Sequence, residues 1–492
     1  MNRIIEPESQ TQASQQPLFI PWEPDGEIVM PSLQGGEMLY PTFAGRDGWG
    51  GQKVGLINAR GEVVAPRMYD YLRYVTDEET NTTIIGLLAG RLDSALSAHR
   101  WVYYGLDGAI LAEPSHLGYM NPFPGGRYAE YADQYIDYDM DESRVDGGIW
   151  SLEENRPLLA AARGQEVSRI GTDRFFVVTR TYDFETWEST ITDAFIFNAK
   201  TGAKTPAPEG VSEINAYEVQ PGDLLIPAMN QGSSGYVDRN LAWVIPPHYD
   251  YAIGFNGRDF ALANDGNGRY YVINATGTVI YVSEYSLSEC GDYISLYDYE
   301  TGLRALFRVR NGKCETLLTP SAAREIFWMQ KDLFAISDRE TGSTVFRDFA
   351  TGKDICRVDG FYDYIQPINA SLVELRINVH EKFGSTVFYN IRQKREIALP
   401  ENWEGYIEVV CPWMVMAHNY TANETLLFDA DGRPLGDSVG AFNYTPWNTA
   451  SYAWPNDLLP AFPWVTQGLY AGYIDEHGAW LYRQSRYQGL ED

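Results

Sequence analysis

The densest group of side chains able to do chemistry in this 492-residue chain is Asp137, Asp139, Asp141 and Glu142, followed by Asp146. Carboxylates at alternate positions can wrap a calcium ion, and the spacing begins like an EF-hand loop. That loop needs glycine at its sixth position and a bidentate glutamate at its twelfth, where this chain has Glu142 and Gly148. The run reads as a solvated acidic loop. The six histidines, His99, His116, His248, His380, His418 and His477, stand apart from one another, without HxH or HExxH spacing, so no metal site is expected. Gly232-Ser-Ser-Gly235 lacks the spacing of a nucleophile elbow, and no Walker phosphate loop occurs. Cys290, Cys314, Cys356 and Cys411 are separated by 24, 42 and 55 residues, which suits free thiols better than a zinc clip or a disulfide framework. The expectation is no catalytic residue, no metal and no cofactor. Carboxylates brought together in three dimensions, as a carbohydrate-active hydrolase requires, form the alternative reading.

Aromatic residues offer a second kind of site. Tyr444, Trp447, Tyr452, Trp454 and Trp464 fall in the longest interval between expected strands, and long ordered loops are more often functional than short ones. Tyr and Trp also anchor protein interfaces. Together with Asp137, Asp139, Asp141 and Glu142 they make the candidate interface. The competing reading is internal packing that closes the two ends of the chain on each other. Tyr-Asp-Tyr occurs at 69–71, 249–251, 297–299 and 362–364. It reads as a repeat corner in which tyrosine packs while aspartate accepts turn amides.

The 67 acidic and 38 basic residues leave a net charge of −29. Such a surface repels nucleic acid and anionic lipid, so neither is expected as a partner. It favours solubility and a basic protein partner. The first residues lack a basic segment followed by an apolar one, and no apolar run reaches the roughly eighteen residues of a membrane helix, so a cytoplasmic location is expected.

What must position these residues is a repeat. Gly55–Asp70 reads GLINARGEVVAPRMYD and Gly235–Asp250 reads GYVDRNLAWVIPPHYD, with a partial copy from Gly472, GYIDEHGAWLYRQSRY. Short alternating strands are separated by Asn/Asp–Gly turns, the chemistry of hairpins. Turns end at Gly26, Gly61, Gly108, Gly202, Gly277, Gly312, Gly352, Gly432 and Gly478, and weaker ones near Asn155, Leu241 (with Asn240 supplying the positive φ) and Lys394. Helical periodicity is weak, and Ser321–Glu325 could form one turn. The chain is expected to be all-β: about twelve tandem β-meander units of 35–48 residues, stacked as propeller-like rings or an open spiral. Residues 1–17 read as a polar tail, 18–220 and 221–492 as two repeat halves.

The phrase carried by Gly55, Ile57, Asn58, Gly61, Val64, Pro66, Tyr69 and Asp70, and again by Gly235, Val237, Asp238, Val244, Pro246, Tyr249 and Asp250, resembles the WG-repeat family of bacterial proteins. The tryptophan that names that family should precede the first glycine; this chain has Val54, Ser234 and Ala471 there. The resemblance implies an interaction scaffold more than a reaction. The expected function is a non-enzymatic scaffold that binds a basic protein through an acidic, aromatic-rich surface, for instance an immunity protein against a basic toxin.

Overall fold

Among the described residues the turns read from the sequence join the last two strands of a small sheet, except that Gly432 follows the third strand of a three-stranded one. The computed structural model describes residues 37–43, 53–79, 83–93, 98–114, 118–132, 146–183, 188–215, 219, 223–379, 382–400, 403–420, 424–435, 443–444, 463–467, 470–475 and 480–485. Among them there is no helix, and the strands form eleven antiparallel meanders. Numbered in chain order, blades 1 to 11 span 39–69, 71–112, 119–159, 165–206, 213–249, 251–283, 286–321, 324–359, 364–397, 405–429 and 443–485. Ser321–Glu325 is not a helical turn: Ala322 and Ala323 make a two-residue link between Lys313–Ser321 and Arg324–Gln330.

The turn residues of blades 1 to 10 are Gly61, Gly108, Asn155, Gly202, Leu241, Gly277, Gly312, Gly352, Lys394 and Gly432, all at positive φ. In blade 5 the left-handed residue is Leu241 itself (φ 65°), not Asn240. Asp238 Oδ1 accepts the amides of Asn240 (2.8 Å) and Ala242 (2.9 Å), and full burial of Leu241 between blades 4 and 5 offsets its backbone strain. The turns expected at Gly26 and Gly478 lie outside the described residues, as do the polar tail and the division between 220 and 221. The described chain thus has eleven units, and the twelfth rests on Gly26.

A four-stranded meander has two apolar faces, and each must be covered by a neighbour. The cores run in sequence round the molecule: Leu88, Trp101 and Met120 join blades 2 and 3; Phe176 and Ile226 join 4 and 5; Phe260 and Ile294 join 6 and 7; Phe346 and Leu375 join 8 and 9. Val410, Met414 and Trp480 join 10 and 11. One further cluster spans blades 11, 1 and 2, so the array is a single closed ring, an eleven-bladed propeller. At the closure Trp464 packs edge-on to Phe43 (5.5 Å) and Tyr473 (5.0 Å), and Tyr473 donates its hydroxyl to the carbonyl of Pro41 (2.6 Å).

The repeated phrase occupies the same place in each copy: the last two strands, and the turn between them, of blades 1, 5 and 11. Its leading glycine is a matter of space. The last strand of the blade bulges across it, with register shifts in all three blades. A Cβ on Gly235 would lie 2.4 Å from the Ile245 carbonyl oxygen, and one on Gly472 1.9 Å from that of Tyr482. Only glycine admits so close an approach of backbone.

Candidate functional site

Strands alternate in direction, so the corners linking one blade to the next share a face of the ring with the links between second and third strands. Three Tyr-Asp-Tyr triplets sit at such corners, 1 to 2, 5 to 6 and 8 to 9. The first tyrosine packs inward: Tyr69, Tyr249 and Tyr362 are buried, and the Tyr69 hydroxyl meets that of Tyr104 at 2.7 Å. The aspartate fastens the corner. Asp70 Oδ2 accepts the Leu92 amide (2.7 Å), Oδ1 pairs with Lys53, and its own amide donates to Gly90 O (2.9 Å), as Asp250 N does to Asn264 O (2.9 Å). The second tyrosine opens the innermost strand of the next blade, and Tyr251 and Tyr364 are exposed there. The fourth triplet is different in place but not in face. Tyr297-Asp298-Tyr299 makes the second-to-third link of blade 7, Asp298 Oδ1 accepts the Glu300 amide (3.1 Å), and Tyr299 is 79% exposed.

The exposed aromatics follow this geometry. Tyr119, Tyr251 and Tyr364 begin inner strands, Tyr285 immediately precedes one, and Tyr299 and Tyr420 lie in second-to-third links. Of the seven aromatic side chains exposed among the described residues, only Trp328 turns toward the opposite face, its Nε1 donating to Lys331 O (3.0 Å). Around Tyr420 the rings of Tyr406 and His418 gather at centroid distances of 5.6 and 5.9 Å. The described corner segments carry Asp70, Glu113, Glu209, Asp250, Glu284, Asp363 and Glu404 against Arg163 as their sole base. The corner face is therefore acidic and studded with tyrosine.

Carboxylates on the inner strands serve a different purpose. Arg180 of blade 4 reaches Glu166 (3.2 Å) on its own inner strand and Glu213 (3.4 Å) on that of blade 5. Arg258 of blade 6 pairs with Glu289 of blade 7 (2.5 Å), and Arg304 of blade 7 with Glu325 of blade 8 (2.9 Å). On the opposite face Arg169 of blade 4 binds Glu78, in the link between the first two strands of blade 2 (2.6 Å), and the Pro124 carbonyl of blade 3 (2.7 Å). These half-buried pairs tie neighbouring blades together. Glu130 stands apart from them: burial, with repulsion from Glu166 second, pushes its carboxyl up to about 7. The two clearest cavities lie elsewhere, about 200 Å³ between blades 7 and 8 and about 310 Å³ between blades 9 and 10.

The residues expected at an interface are not brought together. Asp137, Asp139, Asp141 and Glu142, and Trp447, Tyr452 and Trp454, lie outside the described residues. The acidic segment links the second and third strands of blade 3, so its anchors, Ala132 and Asp146, are on the corner face. The Trp-rich segment links the first and second strands of blade 11 and is anchored on the other. Tyr444 pairs with Val465 in the inner strand of blade 11. Trp464 is a correction. It is fully buried in the ring closure, because the seam between blades 11 and 1 needs a large apolar side chain to fill it. Sequence reasoning missed Tyr119, Tyr285 and Tyr420, single tyrosines that no motif marks. Among the described residues no three His, Cys, Asp or Glu side chains converge as metal ligands. His99 instead bonds Gly118 O (3.0 Å) beside Trp101, and His248 bonds Pro246 O (2.7 Å).

Residues 235–269 match the family model of the WG containing repeat. The match starts in the third strand of blade 5 and stops one residue short of the third strand of blade 6, so the sequence repeat straddles two blades. No curated protein matches the chain. Among solved structures it is similar to a eukaryotic initiation factor, at 12% identity over 74% of this chain and 96% of that one, with a TM-score of 0.37. It is also similar to BamB from Moraxella catarrhalis (13%, 61% and 93%, TM-score 0.25) and to Kluyveromyces lactis Hsv2 (7%, 57% and 94%, TM-score 0.24). Likenesses of this size carry no argument about function.

Proposed function

We propose that this WG-repeat β-propeller is a non-enzymatic scaffold whose corner face binds a basic protein partner. The observation that carries the reading is the sorting of side chains: among the described residues, six of the seven exposed aromatics share one face with seven corner carboxylates. Tyrosine supplies a large contact area with two stiff torsions and a hydrogen-bonding tip, which suits it to interface centres. Carboxylates around it attract a basic partner over distance and discriminate against acidic ones, an effect that raises association rate more than final affinity. A basic toxin neutralised by this face is the specific form of the proposal.

The test compares two faces of one molecule. Capture from lysate of the source organism by the wild-type chain is set against capture by a Tyr251→Ala/Tyr364→Ala/Tyr420→Ala variant and by Trp328→Ala. The reading expects a basic protein retained by wild type and by Trp328→Ala, released by raised salt, and lost from the triple variant. Equal retention by all three, or an acidic captured protein, refutes it. For the toxin form, co-expression should restore growth to cells making the captured protein, and the triple variant should not.

A further inference from the structure

We propose that the cleft between blades 7 and 8 is a binding site for a phosphate-sized oxyanion. In a chain with 38 basic residues among 492, three arginines, Arg324, Arg347 and Arg357, line one cavity of about 200 Å³ together with Thr341, Ser343 and Asp338. They come together because the strands of blade 8 set them on the same side of the sheet: Arg324 is opposite Asp338, and Arg357 opposite Val345. Leu318, from the outer strand of blade 7, and Ile336 add apolar wall.

The charge inside the cleft is positive after its internal pairings. Asp338, the single acid in the lining, is already engaged. Its Oδ1 accepts the amides of Glu340 (2.9 Å) and Thr341 (3.1 Å), and its Oδ2 accepts Arg324 Nε (3.2 Å). Arg347 pairs through Nε with Asp354 (2.6 Å) at the cleft's edge. Arg357 has no carboxylate partner among the described residues; its Nη1 donates to the Ser343 hydroxyl (3.1 Å). Ser343 and Thr341 hydroxyls lie 3.0 Å apart and can rotate to donate.

This donor set is the one that oxyanions select. Guanidinium groups offer paired N–H donors that match tetrahedral or planar oxyanions, and hydroxyls complete the shell. Size narrows the class. Sites for drug-sized ligands start near 300 Å³, so this cleft takes a phosphate or a small phosphate monoester rather than a nucleotide. The net charge of −29 does not forbid it, since exposed charges beyond about 8 Å are largely screened at physiological salt. The site is independent of the corner-face reading, and either can fail alone.

The full chain is titrated calorimetrically with inorganic phosphate, and separately with glycerol phosphate, in a phosphate-free buffer at constant ionic strength. Wild type should show saturable uptake that sodium chloride does not reproduce. Losing one charge-assisted contact should weaken it by about tenfold or more in Arg357→Gln and in Arg347→Gln. Binding of inorganic phosphate alone identifies the free ion as the ligand, and binding of both identifies the phosphoryl group. Absence of saturable uptake by wild type overturns the site. So does unchanged affinity in whichever of the two variants keeps the wild-type melting profile.

Discussion

Replacing Trp464 with alanine tests the closure of the ring. Its side chain is fully buried and packs edge-on against Phe43 at 5.5 Å and Tyr473 at 5.0 Å. Truncating a buried tryptophan costs about 3–5 kcal/mol, and the two aromatic pairs are part of that figure. One term acts in the opposite direction. The indole Nε1 is buried without a hydrogen-bond partner among the described residues, and removing an orphaned donor relieves about 1–3 kcal/mol. The net expectation for Trp464→Ala is a loss of about 2 kcal/mol. Trp464→Phe keeps most of the ring and discards the orphan, so it should stay within about 1 kcal/mol of wild type. Urea unfolding measures both. Hydrogen exchange supplies the location: a loss confined to the seam should speed exchange about thirtyfold in Leu39–Phe43 and Tyr470–Ile474. It should leave Phe260–Asn264, in blade 6, nearly unchanged. If Trp464→Ala unfolds within about 0.5 kcal/mol of wild type, as surface substitutions do, then Trp464 does not close the ring and the single-ring architecture fails with it.

Gly235→Ala should lose about 2–3 kcal/mol in the same assay, because the new Cβ meets backbone that cannot step aside. Gly232→Ala, in open space at φ +87°, should lose about 1 kcal/mol; equal losses would refute the close-approach account. Tyr249→Ala should cost about 3 kcal/mol or more and Tyr251→Ala less than about 0.5 kcal/mol, since the corner buries the first and exposes the second. The reverse order would dissolve the corner motif. Burial, then Glu166, raises Glu130 from 4.5 to about 7. The folded chain therefore holds that proton more tightly than the unfolded one. The contribution is complete below about pH 4.5 and disappears as pH rises to about 7. Melting temperature followed across this range should fall more steeply in wild type than in Glu130→Gln, and parallel curves would refute the assignment. Burial pushes the Cys314 thiol up to about 11 and Cys411 up to about 12. Both should resist a thiol-specific alkylating reagent at mildly alkaline pH and react once the chain is unfolded, Cys411 being buried and Cys314 partly so, whereas rapid native labelling of Cys411 would refute its burial.

The turns were legible because their chemistry is local. Ten positive-φ residues fall where Asn/Asp–Gly spacing or its weaker variants place them. Leu241 departs from the pattern because a core contact, not a residue preference, selects it. The inner strands were much harder to read. Tyr251–Ala252 and Glu213–Ile214 are two residues long, too short for any alternation, and the first reads as the tail of the preceding phrase. The sequence unit runs from mid-blade to mid-blade, so its most conspicuous feature, Tyr-Asp-Tyr, marks the joint between blades and not the body of one. Trp464 was ambiguous for a related reason. Its neighbours Tyr40 and Phe43 are more than four hundred positions away, and no local pattern reports such a contact. The corner face escaped notice because single tyrosines such as Tyr119 and Tyr285 become a surface only when the ring sets them side by side.

Glu130 and Glu166 show how the electrostatic signature of a hydrolase can arise without its geometry. A glycosidase needs one carboxyl protonated near neutrality and a second kept ionised, with room between them for the scissile bond. Glu130, raised to about 7, meets the first half of that condition, and Glu166 is ion-paired with Arg180 at 3.2 Å. The packing answers the spatial one. Gly147, at the start of the third strand of blade 3, comes so close that a Cβ there would lie 3.1 Å from Glu130 Oε1 and 2.9 Å from the Gln165 carbonyl oxygen. Gln165, one residue from Glu166, is itself buried and donates from Nε2 to the Gly147 and Ala160 carbonyls. The backbone of blade 3 packs directly against Glu130 and the inner strand of blade 4. The raised carboxyl is thus a consequence of wedging a glutamate between two blades whose arginine is already committed to Glu166 and Glu213. The same logic covers Glu408, raised by burial in the inner strand of blade 10. In a propeller of this size many inner-strand carboxylates compete for few cations, since acids outnumber bases by 67 to 38. Those left over are pushed upward chiefly by burial, so a perturbed carboxylate is a weaker sign of chemistry in this fold than an open cleft lined with unmatched arginine.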